Sequence, residues 1–177
     1  MTTASGTRFS WIEAGGGEEA GKRCIAFVKS VGIGVRPRRE GEVLDQPIDG
    51  LAIKDGAIVI DPEVPIWPGD FLHEAGHIAV TEADRRSTLS ELEADRDEEL
   101  MAIAWSYAAT RECGMTLRQL FNPEGYRDQA KFAGDCYALG RFDGADGLAR
   151  YGMTMLDLQE ALANGLPSYP NMIRWLR

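Results

Sequence analysis

Residues 51–80, LAIKDGAIVIDPEVPIWPGDFLHEAGHIAV, decide the fold. Two short apolar runs, Leu51–Ile53 and Ala57–Ile60, flank Asp55-Gly56, the residue pair that supplies positive φ in a tight turn. This predicts a β-hairpin over 51–60. Pro62, Pro65 and Pro68 rule out a long regular element and read as an extended connector. The next residues predict a helix over Phe71–Thr81, with Asp70 placed to accept from its first unpaired amides.

The chain has 177 residues and 2 histidines, and both fall in His73-Glu74-Ala75-Gly76-His77. Residues i and i+4 share a helical face, so two imidazoles at this spacing converge on one point where a metal ion can sit. Glu74 lies about 100° round the helix from His73, within reach of a water at the metal without taking a ligand position. Two histidines placed at random take this spacing about 1% of the time, and a Glu in the second slot lowers that to roughly one in a thousand. Gly76 weakens a helix, so its presence there predicts the close approach of another element.

A catalytic zinc takes three protein ligands and keeps one position for water. With no further His and no nearby Cys, the third ligand has to be a carboxylate. The candidates are Glu91, Glu93, Asp95, Asp97, Glu98 and Glu99, near the start of the following helix. Glu98 and Glu99 stand where that helix turns from polar to apolar. Glu99 is preferred, because Ala102 three residues on is small enough to let this helix pack against the metal helix, whereas Glu98 shares its face with Trp105. Glu91 is the outsider.

Working outward, 1–17 is polar and Gly-rich and reads as a loose tail, with one domain over 18–177 and a metal core at about 51–112. Glu18–Val31 has a helical period stopped by Gly32, and 33–36 is a short strand candidate. Ser90 and Glu93 form a capping-box pattern for a helix reaching Cys113, with Gly114 as its stop. Further helices are expected near 116–121, 127–139 and 154–163, with RFDGADG as the turn between the last two. The C-terminal stretch 165–177, with Trp175 and Leu176, is expected to pack on the core rather than to lie in the cleft. The fold class is therefore α+β: a small sheet with its hairpin packed on a metal-binding helix, and a mainly helical C-terminal half.

These residues carry a resemblance. The hairpin ending at Ile60, the HEAGH helix at 73–77 and a following helix with a Glu near 98 or 99 resemble the gluzincin clan of zinc metallopeptidases, especially its small ImmA/IrrE-like members. The resemblance spans about 60 residues, and its specific part is the pentapeptide. It implies Zn2+ held by His73, His77 and a later Glu, with Glu74 as general base. It also implies an edge strand beside the cleft that holds an extended peptide by strand addition, a role the 51–60 hairpin is placed to fill. The absence of a third His excludes the metzincin pattern. An Asp four residues after the ligand Glu, a thermolysin-like feature, is missing after Glu98 and Glu99 and present only after Glu91, at Asp95. An oxyanion stabiliser would be a backbone amide, an Arg or a Tyr, the nearest in sequence being Tyr107, Tyr126 and Tyr137.

A net charge of −9 disfavours phosphate-backbone binding and docking on an anionic membrane surface. The N-terminal residues lack a signal-peptide pattern and no apolar run is long enough to span a bilayer, while Cys24, Cys113 and Cys136 are odd in number and widely spaced. The expectation is a cytoplasmic zinc peptidase acting on a peptide or protein, without nucleic-acid or membrane partners. The competing readings are a zinc-binding regulatory or structural protein with little turnover, and metal-assisted hydrolysis of a non-peptide carbonyl.

Overall fold

The computed structural model describes residues 7–46, 48–90, 95–122 and 128–177, the last without the side chains of 128–130. The hairpin forms as its sequence requires. Strands β2 (Leu51–Lys54) and β3 (Ala57–Ile60) pair antiparallel, with Asp55 and Gly56 both at positive φ. Strand β1 (Gly34–Pro37) adds in parallel on the far side of β3, giving the order β1-β3-β2. β2 is therefore an edge strand. Leu51, Ile53, Ile58 and Ile60 are fully buried in the main core.

Helix α1 (Gly17–Ser30) packs on β1, and helix α2 (Pro68–Val80) packs on β2 and β3. α2 begins earlier than its cap pattern suggests. Pro68 occupies the first turn, where its fixed φ is pre-organised and its missing N–H is no loss, and Trp67 is the N-cap. Asp70 is consequently inside the helix and buried rather than capping it. After the short helix α3 (Ala83–Arg86), α4 (Arg96–Glu112) crosses α2. Its N-cap is Asp95, whose side chain accepts from the amides of Asp97 and Glu98, both at 2.9 Å. Glu91 and Glu93 lie outside the described residues, and Ser90 turns to the hairpin instead, where its Oγ accepts from Asp55 N–H at 2.8 Å.

The α2–α4 crossing is tight because small residues meet there. A Cβ added at Gly76 would stand 2.6 Å from the carbonyl oxygen of Ala102. Ser106 Oγ bonds back to that same carbonyl at 2.6 Å and stays buried. The approach expected from Gly76 and Ala102 is thus the contact between the two helices.

The remaining helices are α5 (Leu117–Leu120), opened by a Thr116–Gln119 capping box, α6 (Asp128–Ala138), α7 (Ala145–Arg150) and α8 (Leu158–Asn164), capped by Asp157. α7 forms within and after the stretch read as a plain turn, its entry made by Gly144 at positive φ. α8 starts later than expected, because Thr154 is held by its side-chain bond to the Asn171 carbonyl rather than by a helix.

Residues 7–17 are not a loose tail. Trp11 bridges in parallel with Ile66, Ile12 N–H donates to Ile66 O, and Ile66 N–H donates to Ser10 O. The Trp11 indole meets the Phe71 ring edge-on at 5.8 Å and lies against Gly21, which has no side chain to obstruct it. Burial of one indole anchors a segment whose composition alone looks unstructured. The C-terminal stretch packs on the core, with Trp175 edge-on to Phe27 and Trp105 and its carbonyl accepting from Trp105 Nε1 at 2.8 Å. Among the described residues, no helix is long and apolar enough to cross a membrane.

Candidate metal centre

α2 presents His73, Glu74 and His77 from one buried stretch, and α4 brings Glu99 across the Gly76–Ala102 contact to meet them. The two Nε2 atoms are 3.0 Å apart. Glu99 Oε1 lies 3.3 Å from His73 Nε2, and Oε2 lies 3.2 Å from His77 Nε2. Ligand atoms at the corners of a tetrahedral zinc-type site stand roughly 3.3 Å from one another, so this spacing suits a single ion. Among the described residues these are the one set of three His, Cys, Asp or Glu side chains whose ligand atoms all lie within 4.8 Å. His73 and His77 are buried and Glu99 is partly open to solvent, so the centre has an exposed side.

Glu98 goes elsewhere. It lines a cleft of about 450 Å³ with Glu82, Asp97, Asp146, Arg150 and Arg177, on another face of α4. The 100° step between successive helical residues separates the two carboxylates, and the small residue Ala102 on the Glu99 side sets which one α2 receives.

The electrostatics sort the acids. Burial pushes the Glu74 carboxyl up to about 7, against the charge of His77, with Glu99 and Asp70 adding to the rise. Its Oε2 is buried without a hydrogen-bond partner among the described residues. A buried, unsatisfied carboxylate oxygen costs stability unless something is meant to sit against it, which suits a water at a metal ion. Burial also raises Glu99, but hydrogen bonds and charge from His73 and His77 outweigh it and hold the carboxyl well below the usual range.

Three supports were not legible in the sequence. Asp70, one turn before His73, accepts from Asn122 Nδ2 at 3.1 Å, which ties the first turn of α2 to the end of α5. Burial raises the Asp70 carboxyl while Asn122 and the charge of His73 lower it. At the other end of α2, Arg86 donates to the carbonyls of Ile78 and Thr81, while Arg177 donates to those of Ala79 and Val80. Arg86 also donates to Arg177 O at 2.7 Å. Two arginines thus collect the carbonyls that a helix end leaves unpaired. Of the tyrosines considered for an oxyanion, Tyr107 stacks on Phe142, Tyr137 meets both rings edge-on, and the Tyr137 hydroxyl donates to Asp143 O. Tyr126 lies outside the described residues.

The outer edge of β2 is satisfied within the chain. Gln46 Oε1 accepts from Ile53 N–H at 2.9 Å, and Gln46 Nε2 donates to Ile53 O at 3.0 Å. Comparisons of the chain with protein-family models, with curated proteins and with solved structures find no match.

Proposed function

We propose that the protein is a zinc-dependent metallopeptidase that hydrolyses peptide bonds, with His73, His77 and Glu99 as ligands and Glu74 as general base. The observation that carries this reading is the convergence of His73, His77 and Glu99 beside a buried carboxylate with an unpartnered oxygen. Zinc held there supplies Lewis acidity and makes water nucleophilic near neutral pH. His73 and His77 fix two ligand positions from one rigid helix face, and Glu99 closes the set from the second helix. Glu74 accepts a proton at Oε2 from the attacking water and returns it to the leaving amine. A carboxyl buried beside the ligand set is placed for both halves of that transfer.

The alternative, a zinc-binding regulatory or structural protein with little turnover, is favoured by the closed β2 edge. The test is metal analysis of the purified protein and of Glu74→Gln, with casein as a general peptidase substrate. Glu74→Gln should keep one zinc per chain and lower turnover by about 1000-fold. Turnover that survives the change overturns the mechanism. Bound zinc without turnover in the unaltered protein favours the alternative.

A further inference from the structure

The outer edge of β2 is closed by a side chain rather than by a strand, and that side chain carries an amide. Residues on a strand offer their N–H and C=O alternately to the two sides, so Ile53 faces outward while Ala52 and Lys54 face β3. Gln46 gives Ile53 one acceptor and one donor, the two groups a residue of a neighbouring strand would present. Its Nε2 also donates to Ser90 O at 2.9 Å, on the segment that leads to α4. Next to it, Leu51 N–H donates to Ile48 O, and Asp55 N–H donates to Ser90 Oγ.

The segment before Gln46 is firmly anchored. Arg36 makes two bonds to the Glu42 carboxylate, at 2.8 and 2.6 Å, and Arg38 Nε bonds Asp61 Oδ2 at 2.7 Å. Glu42 also accepts from Arg39 N–H at 2.9 Å. Beyond these anchors the contact before Gln46, among the described residues, is a single exposed pair, Lys54 Nζ with Asp45 Oδ1 at 3.3 Å. Ile53 is fully buried, so loss of Gln46 with no replacement leaves a backbone N–H and C=O unpaired. An arriving peptide strand restores both bonds, and release of Gln46 is then coupled to its arrival.

We propose that Gln46 is a built-in occupant of the β2 edge, a strap that an extended peptide displaces in order to lie beside α2. This inference rests on the peptidase reading and adds to it the restraint that the resting protein places on its own substrate. A population of strapped molecules lowers apparent peptide affinity by the fraction that is open.

The test uses zinc-loaded protein and two probes that share one chelating group: acetohydroxamate, which has no peptide part, and Pro-Leu-Gly hydroxamate. In Gln46→Ala, acetohydroxamate affinity should be unchanged and Pro-Leu-Gly hydroxamate should bind about tenfold tighter. Gln46→Glu keeps the acceptor for Ile53 N–H and loses both donated bonds, so it should move the ratio in the same direction by less. It serves equally if the Ala variant does not fold. An unchanged or weaker Pro-Leu-Gly hydroxamate affinity, with acetohydroxamate still bound, overturns the strap and leaves the zinc reading standing. Failure of both probes to bind the unaltered protein overturns the zinc reading and the strap with it.

Discussion

Two groups of carboxylates sit on neighbouring faces of α4 and its surroundings, and they have different fates. At the α2–α4 crossing, Glu74 and Glu99 are brought among two buried histidines and are shifted in opposite directions. In the cleft toward α7, Asp97, Glu98 and Asp146 face solvent with Arg150 and Arg177 nearby. Glu98 and Glu99, one from each group, are the same residue type and adjacent in the chain. What separates them is burial and convergence, both of which follow from the small residues at the crossing. An acidic run becomes chemistry only where a helix contact removes water from one of its members.

That contrast is broken most directly at the ligand. Glu99→Ala should weaken metal binding by at least about 100-fold in a competition titration with a chelator, because two ligands on one helix remain without a third. Equal loss on Glu98→Ala would erase the distinction between the two faces.

The next effect is on stability in the metal-free protein. A carboxyl whose folded pKa is raised contributes stability fully below its unfolded value of 4.5, and that contribution is lost as pH rises through about 7. Glu74 should therefore make the metal-free protein less stable by about 3 kcal/mol between pH 4 and pH 8. Denaturant unfolding of the protein and of Glu74→Gln at both pH values reads this directly: the variant should gain on the parent as pH rises. A constant difference would mean that Glu74 is solvated.

The crossing itself is tested by Gly76→Ala. Helix propensity alone would make this change stabilising by about 1 kcal/mol. The carbonyl of Ala102 leaves no room for the methyl, so the expected outcome is a loss of about 1–3 kcal/mol together with weaker metal binding. The smallest effect belongs to the solvent-facing cleft, where Asp97→Asn should shift stability by less than about 0.5 kcal/mol and leave metal content unchanged.

Much of the site was legible in local sequence. HEAGH gives the two histidines and the buried Glu74 beside them, Asp55-Gly56 gives the hairpin, and Gly76 with Ala102 points to Glu99. Each depends on residues a few positions apart, where helix and strand periods apply. What was missed depends on distance along the chain. Asp70 reads as a cap because its partner Asn122 is 52 residues away, and 7–17 reads as a tail because Trp11 is held by Ile66 and Phe71. Gln46 carries no local signal, since its three bonds go to Ile53 and Ser90.

The arginine pair at the end of α2 has a consequence for the order in which the molecule is made. His77 belongs to the last turn of that helix, and two of the carbonyls closing it wait for Arg177, 97 residues beyond Val80. A chain emerging from the ribosome therefore exposes the HEAGH segment long before its final clamp exists. The end of the helix that carries His77 is closed only after synthesis has moved past it by more than half the length of the chain.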